Sequence, residues 1–484
     1  MLVTHETNMG QMDFTAARRV KRLTLLLLAH VAQAGLALGA DFSVTPISDS
    51  KLISREPVIS ETGLAAWSSY TEPKAENPSS DIYIYTPGRK PHAITAAKSQ
   101  GDANFRPQVQ SNTVVWVGPS PGSVLRPDWV LREVPDSSRD TPFPEIRAMY
   151  VAREDGTGHK WYEEVQTNTP PTDVTASTAP STTNTSVSTN EQIHMPTNTS
   201  TGEDFKMLEP PSDRSLDPNL ARRTPSGATE IYMWDGRAEI QRITRDNRDD
   251  LAPSVWGSLI TWQKAKGWPF GWEIMVWDKG ARSQLTTNFY YDMAPKAQGN
   301  QVAWYGWDGH DFEIYLYDNT THTTTQITSN QYDDVSPALW DGVVVWEGYP
   351  GVDADIFMWK DGKTQKLSDN LEDDLNPRIW NGQVVWQGFD GDDFEIYSFD
   401  GEKAVKLTSN TYDDVNPDIQ DGLVCWMSYV DNWDSEICVW DGKEIKQLTD
   451  NDFEDRDPKT AAGRVIWQED QGDKSIIYLA EPKK

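Results

Sequence analysis

An all-β fold assembled from repeated four-stranded sheets is what this chain of 484 residues predicts, and three observations carry it. Six prolines, Pro253, Pro295, Pro337, Pro377, Pro417 and Pro458, each precede a tryptophan by nine residues, at Trp262, Trp304, Trp346, Trp386, Trp426 and Trp467. Around each pair runs one order of elements: an Asp-containing turn with Pro, a Gly turn, a Val-rich strand ending in Trp, an acid-Ile-Tyr strand, a second Gly turn and a Leu/Ile-Thr strand. The chain also holds 21 tryptophans, and aromatic and β-branched residues suit strands. A period of 40–42 residues with four short strands per unit marks a β-propeller.

Counting Trp-ending second strands gives eight units, because "LAAW" at Trp67 and "TVVW" at Trp116 precede the six regular ones. The third strands begin at Asp81, Glu230, Glu273, Glu313, Asp355, Glu395 and Glu436, with a weaker one near Ile477-Tyr478. The last unit has no fourth strand of its own, so residues 42–48, "FSVTPIS", are expected to complete it and join the two chain ends. That closure removes exposed sheet edges. Eight blades are therefore predicted, and seven if the irregular first units merge. Asn381-Gly382 and Asp421-Gly422 read as two-residue turns between first and second strands, and Asp361-Gly362, Asp400-Gly401 and Asp441-Gly442 between third and fourth.

Unit two is interrupted between Trp116 and Glu230, where residues 117–229 form an insertion. Its stretch 167–201 is Ser, Thr, Pro and Asn with almost no apolar content, which predicts disorder because little surface is available to bury. The earlier part, with "DWVLREV" and "EIRAMYVARED", predicts an extra hairpin.

Residues 1–40 have the layout of a secretory signal: Arg18, Arg19, Lys21 and Arg22, then an apolar run Leu23 to Leu38, then Gly39 and Ala40. Cleavage is expected near Ala40 or after Ala37, leaving residues 41–484 as the propeller; an uncleaved anchor is the alternative reading. No later run is long and apolar enough to span a membrane. Forty-four Lys and Arg against 74 Asp and Glu give a net charge of −30, which argues against nucleic acid and anionic membrane surfaces as partners. The two cysteines, Cys425 and Cys438, fall on neighbouring strands of unit seven. A cross-strand disulfide is one reading; two separate buried thiols replacing Val and Tyr is the favoured one.

The segment "EIYSFDGEKAVKLTSNTYDDVNP" (395–417) resembles the TolB-type, WD-like propeller repeat of envelope proteins, in which an acid-Ile-Tyr strand, a D-G turn, a Leu-Thr strand and a D-x-x-P turn follow in order. The resemblance runs from 230 to 484 and, more loosely, from 41 to 116. It implies a rigid exported propeller that binds an envelope protein. TolB itself adds a separate α/β domain ahead of its propeller, and no counterpart lies between residue 40 and the first unit.

Two sets of acids are expected on one face. Asp250, Asp292, Asp334, Asp374, Asp414 and Asp455 stand three residues before each Pro. The pairs Asp311/Glu313, Asp353/Asp355, Asp393/Glu395 and Asp434/Glu436 start third strands. One reading is a set of cation sites suited to calcium, which takes several hard oxygen ligands. The other, favoured for a feature repeated in every unit, is that each Asp accepts backbone N–H groups of its own turn. The same loops carry Trp307, Tyr349, Phe389 and Tyr429, and unit three has "GWPFGW" with Trp268, Phe270 and Trp272. Aromatic faces beside carboxylates can stack on sugars or hold cations, or simply pack neighbouring loops. No G-x-S-x-G elbow or histidine metal set is present, so no catalytic residue is nominated. The function expected is a non-enzymatic scaffold, periplasmic or at the cell surface, binding an envelope protein. A glycan-binding propeller is the first alternative and a polysaccharide-acting enzyme the second.

Overall fold

The computed structural model describes residues 42–70, 79–96, 103–120, 149–154, 160–165, 205–207, 228–237, 239–266, 271–288, 290–430, 434–472 and 474–483. The expected signal at 1–40 and the Ser/Thr-rich stretch 167–201 lie outside them. Every element among the described residues is a strand, and no helix is long and apolar enough to cross a membrane.

Six antiparallel sheets have four strands each, ordered first to fourth along the chain from unit two to unit seven. Unit six is representative: Asp374–Trp380, Gln383–Phe389, Phe394–Phe399 and Ala404–Lys406. Unit eight contributes Glu454–Ala461, Arg464–Asp470 and Ser475–Pro482, and its fourth strand is Phe42–Pro46 from the other end of the chain. Phe42 faces Pro482 and Pro46 faces Tyr478 in antiparallel register, as the missing strand predicted. One parallel pair, Ile53 with Ser475, links this sheet to unit one. Unit two continues across the insertion, with Thr113–Pro119 pairing directly to Thr229–Trp234. Within the insertion, Met149–Glu154 from the "EIRAMYVARED" segment pairs with Lys160–Val165 and with Phe205–Met207, while "DWVLREV" lies outside the described residues.

The sheets stack face to face through their tryptophans. Trp67, Trp116, Trp262, Trp304, Trp346, Trp386, Trp426 and Trp467 are all almost completely buried. Each lies opposite a third-strand residue, and where that residue is aromatic the rings stack: Trp386 on Tyr397 at 5.7 Å and Trp346 on Phe357 at 5.8 Å. Between sheets, Trp386, Ile379 and Val384 of unit six pack on Val345 and Ile356 of unit five. Trp67 and Ile59 of unit one pack on Ile466 and Leu479 of unit eight. First strands run side by side from unit to unit, and Ile53–Ile59 touches both Phe105–Gln110 and Glu454–Ala461. A flat indole fills the wedge between twisted sheets, and emptying one such site costs about 3–5 kcal/mol.

Each first strand carries a bulge at its proline. The register shifts there in all eight units, for instance between Leu375 and Arg378. The residue before Pro takes a left-handed backbone: Glu56, Arg106, Ala252, Ala294, Ser336, Asn376, Asn416 and Asp457 all have φ between 50° and 59°. Proline cannot donate to the ladder, so it sits where the bulge leaves no bond to make. The turns only partly follow expectation. Asp361-Gly362, Asn381-Gly382 and Asp421-Gly422 have positive φ at both positions. Asp400 and Asp441 instead open four-residue loops, since Phe399 pairs with Ala404 and Trp440 with Ile445. The Asp400 carboxylate accepts the amides of Glu402 and Lys403, holding the longer loop.

The two cysteines are free and buried. Cys438 lies opposite Trp426 while Cys425 lies opposite Val439, so they point to opposite faces of the sheet and enter different inter-sheet clusters. They are two separate thiols, and burial pushes both well above the usual thiol range.

Candidate functional site

The acidic turns gather at one end of the sheets. The start of the first strand, the end of the second and the start of the third are hydrogen-bonded neighbours: Asp374 faces Gly388, and Gly388 faces Glu395. The same end receives the segment that leads in from the previous unit.

The recurring Asp before each proline makes bonds other than those its turn suggested. Oδ1 of Asp374 accepts the indole N–H of Trp386 at 2.7 Å, and Oδ2 accepts the side-chain amide of Asn370 at 2.6 Å. The indole contact recurs at Asp250–Trp262, Asp292–Trp304, Asp334–Trp346, Asp414–Trp426 and Asp455–Trp467. In unit two Asn104 takes the Asp position and accepts from Trp116 at 3.0 Å. In unit one the indole of Trp67 donates to Ser69, which also bonds Ser54 at the Asp position. It is the Asn four residues earlier that caps the turn: Asn410 Oδ1 accepts the amide of Tyr412 at 2.9 Å. The acid just ahead of the buried Asp ties units together, since Asp413 accepts the amide of Phe394 at 3.0 Å and Asp333 that of Phe312 at 3.1 Å. The expectation of a carboxylate bonded to its own turn is thus corrected. A buried indole N–H needs an acceptor, and the Asp is the nearest one.

Burial sets the protonation of these acids. Desolvation pushes Asp250, Asp334 and Asp414 up to about 7, Asp292 and Asp374 to about 6, and Asp455 to about 8. The indole and Asn donors pull the other way without cancelling it.

The third-strand acids from Glu230 onward are buried too, and most are met by a cation of the protein. Arg242 pairs with Glu230 at 2.5 Å, Lys266 pairs with Glu273, and Lys366 pairs with Asp355 at 2.8 Å. Lys406 reaches Glu395 at 3.1 Å and Asp390 at 2.6 Å. Of the residues nominated as cation ligands, Asp311 and Glu313 converge with Asp308, and Asp393 and Glu395 converge with Asp390. In each group one carboxylate oxygen per residue lies within 4.8 Å of the others. Asp353/Asp355 and Asp434/Glu436 form no such group among the described residues. Asp308 and Asp390 were not among the nominated ligands; "DGDDFE", which holds Asp390, resembles a calcium loop only weakly, and "DGHDFE" repeats it around Asp308.

The nominated aromatics are partly or wholly taken up by packing. Trp307 meets Phe312 edge-on at 5.2 Å, Phe389 meets Phe394 at 5.3 Å, and Tyr349 and Tyr429 border core clusters. Trp272 is buried, its ring packed into the sheet and not offered to solvent. Trp268 and Phe270 lie outside the described residues. The apolar groups that do face solvent escaped the sequence reading. Of the eight exposed large apolar residues described, Tyr290, Val352, Leu371, Val430 and Phe453 all occupy turns at the acidic end. Val352 is 99% exposed and Leu371 82%.

No protein-family profile matches the chain, and no curated protein does. Solved structures with a similar fold include the propeller domain of the trilobed protease of Pyrococcus furiosus, at 13% identity and a TM-score of 0.42, covering 53% of this chain and 86% of that one. TolB from Acinetobacter baumannii is similar at 13% identity and a TM-score of 0.33, over 55% of this chain and 61% of that one. An acylaminoacyl peptidase of Pyrococcus horikoshii is similar at 10% identity and a TM-score of 0.44, over 86% of this chain and 57% of that one. What the chain itself displays is a succession of four-stranded antiparallel sheets, one per sequence repeat.

Proposed function

We propose that this chain is a closed eight-bladed TolB-like propeller, exported to the cell envelope, that works as a non-enzymatic scaffold and docks a basic protein partner on its acidic turn face. The exposure of Val352 and Leu371 among the acids of that face carries the reading. Both side chains stand in turns at the acidic end, where they would offer a partner apolar contact beside the acids. The net charge of −30 favours a partner with a basic patch and speeds its encounter. The TolB-type repeat supports an envelope setting, and the contact between units one and eight supports closure.

The test is a paired affinity capture from an envelope extract, using the full chain and its Val352→Lys/Leu371→Lys variant as baits. A protein retained by the first and lost by the second supports docking on this face. Equal recovery by both contradicts it. If neither bait retains protein and both retain a polysaccharide, the glycan reading replaces it.

A further inference from the structure

The buried third-strand acids can be compared across units of the same chain, and unit four stands apart. Its Glu313 is fully buried and Asp311 is 6% exposed. Glu313 Oε1 accepts the amide of Asn330 at 2.8 Å, but Oε2 is buried without a hydrogen-bond partner, and so is Oδ1 of Asp311. Asp308 holds the turn by accepting the amide of His310 at 2.8 Å, and the exposed His310 ring is 3.7 Å from it. Asp333, bonded to the amide of Phe312, adds a further negative charge nearby.

In unit six Lys406 pairs with two of the equivalent acids, Asp390 and Glu395, while both oxygens of Asp393 and Oε2 of Glu395 have no hydrogen-bond partner. Lys406 stands on the fourth strand opposite Tyr397, and the residue in that register in unit four, opposite Tyr315, is Gln326. No lysine or arginine among the described residues forms an ion pair with Asp308, Asp311 or Glu313. One oxygen each of Glu313 and Asp311 thus lacks a partner, and no described lysine or arginine pairs with either acid, where burial makes that costly.

We propose that Asp308, Asp311 and Glu313 form a site for a hard divalent cation, calcium before magnesium, and that Lys406 replaces that cation in unit six. Three carboxylates at a partly open turn supply oxygens to which water can add, and the larger ion tolerates such irregular coordination.

Calorimetric titration of the chelator-stripped full chain with calcium chloride, repeated with magnesium chloride, tests this. The wild type is expected to bind calcium, Asp311→Asn to bind it at least about tenfold more weakly, and Gln326→Lys to have one site fewer with an unchanged or raised melting temperature. Lys406→Gln should have one site more. Retention of the wild-type stoichiometry by a folded Gln326→Lys variant, or no calcium binding by the wild type, overturns the assignment. Tighter binding of magnesium than of calcium overturns the choice of ion.

Discussion

Oδ1 of Asp374 lies 2.7 Å from the indole nitrogen of Trp386, twelve residues later and on the adjacent strand. The bond joins the buried acid at the start of the first strand to the ring that fills the gap between sheets. Sequence repeat, local turn and inter-sheet packing therefore meet at one contact, repeated in six units.

Asp374→Ala should lower the stability by about 1–3 kcal/mol, because it strands the buried Trp386 N–H without an acceptor. Denaturant unfolding of the single variant, of Trp386→Phe and of the double variant measures the coupling. A cost below about 0.5 kcal/mol for Asp374→Ala would show that the clasp contributes nothing beyond packing.

Stability should fall as pH rises from 5 to 8. The six clasp carboxylates have native values of about 6 to 8, above the usual Asp value of about 4 in an unfolded chain. The folded state thus holds more protons across that window, and unfolding releases them. The stabilisation is complete below about pH 4 and is lost as the pH passes each native value. Repulsion within a chain of net charge −30 acts in the same direction. Melting temperatures measured across this range in a chelator-containing buffer check the sign; a rise toward pH 8 would contradict it.

Gly348→Val should destabilise by about 2 kcal/mol or more, a typical penalty for forced overpacking. A Cβ at Gly348 would stand 2.6 Å from Asp334 Oδ1 and 2.7 Å from the Phe357 ring. The glycine is there so that acid and ring can close over the strand. Gly362→Ala, on an open turn with nothing within 4 Å, is the control: it carries only the backbone strain of a positive φ of 76°.

The architecture was legible because each unit repeats an identical local problem: a proline that cannot donate, a glycine turn and a tryptophan needing cover. Even the exchange of Phe42–Pro46 into the last sheet follows from a missing strand at one end and a spare one at the other. Bond partners were less legible. The periodicity places Asp374 on a turn but does not say that its neighbour two positions along the next strand is a tryptophan with an unmet N–H. The ligand group in unit four was half visible: Asp311 and Glu313 stand out by alternation, whereas Asp308 joins only because the turn folds back. What separates unit four from unit six is Gln326 against Lys406, a difference carried by a strand with no acid in it. The exposure of Val352 and Leu371 has no sequence signature, since an isolated aliphatic residue in a turn reads like any other. The buried state of Trp272, in turn, follows from its pairing with Ala265 inside the sheet.

The most direct test of docking on the acidic face compares three baits in a quantitative capture: the full chain, Val352→Lys/Leu371→Lys, and Ile240→Lys. Ile240 is also exposed, at 39%, but lies in a third-to-fourth-strand turn at the opposite end of its sheet. A partner lost by the double variant and kept by Ile240→Lys is the predicted result. Loss from both, or from Ile240→Lys alone, would place the contact elsewhere and contradict the proposal.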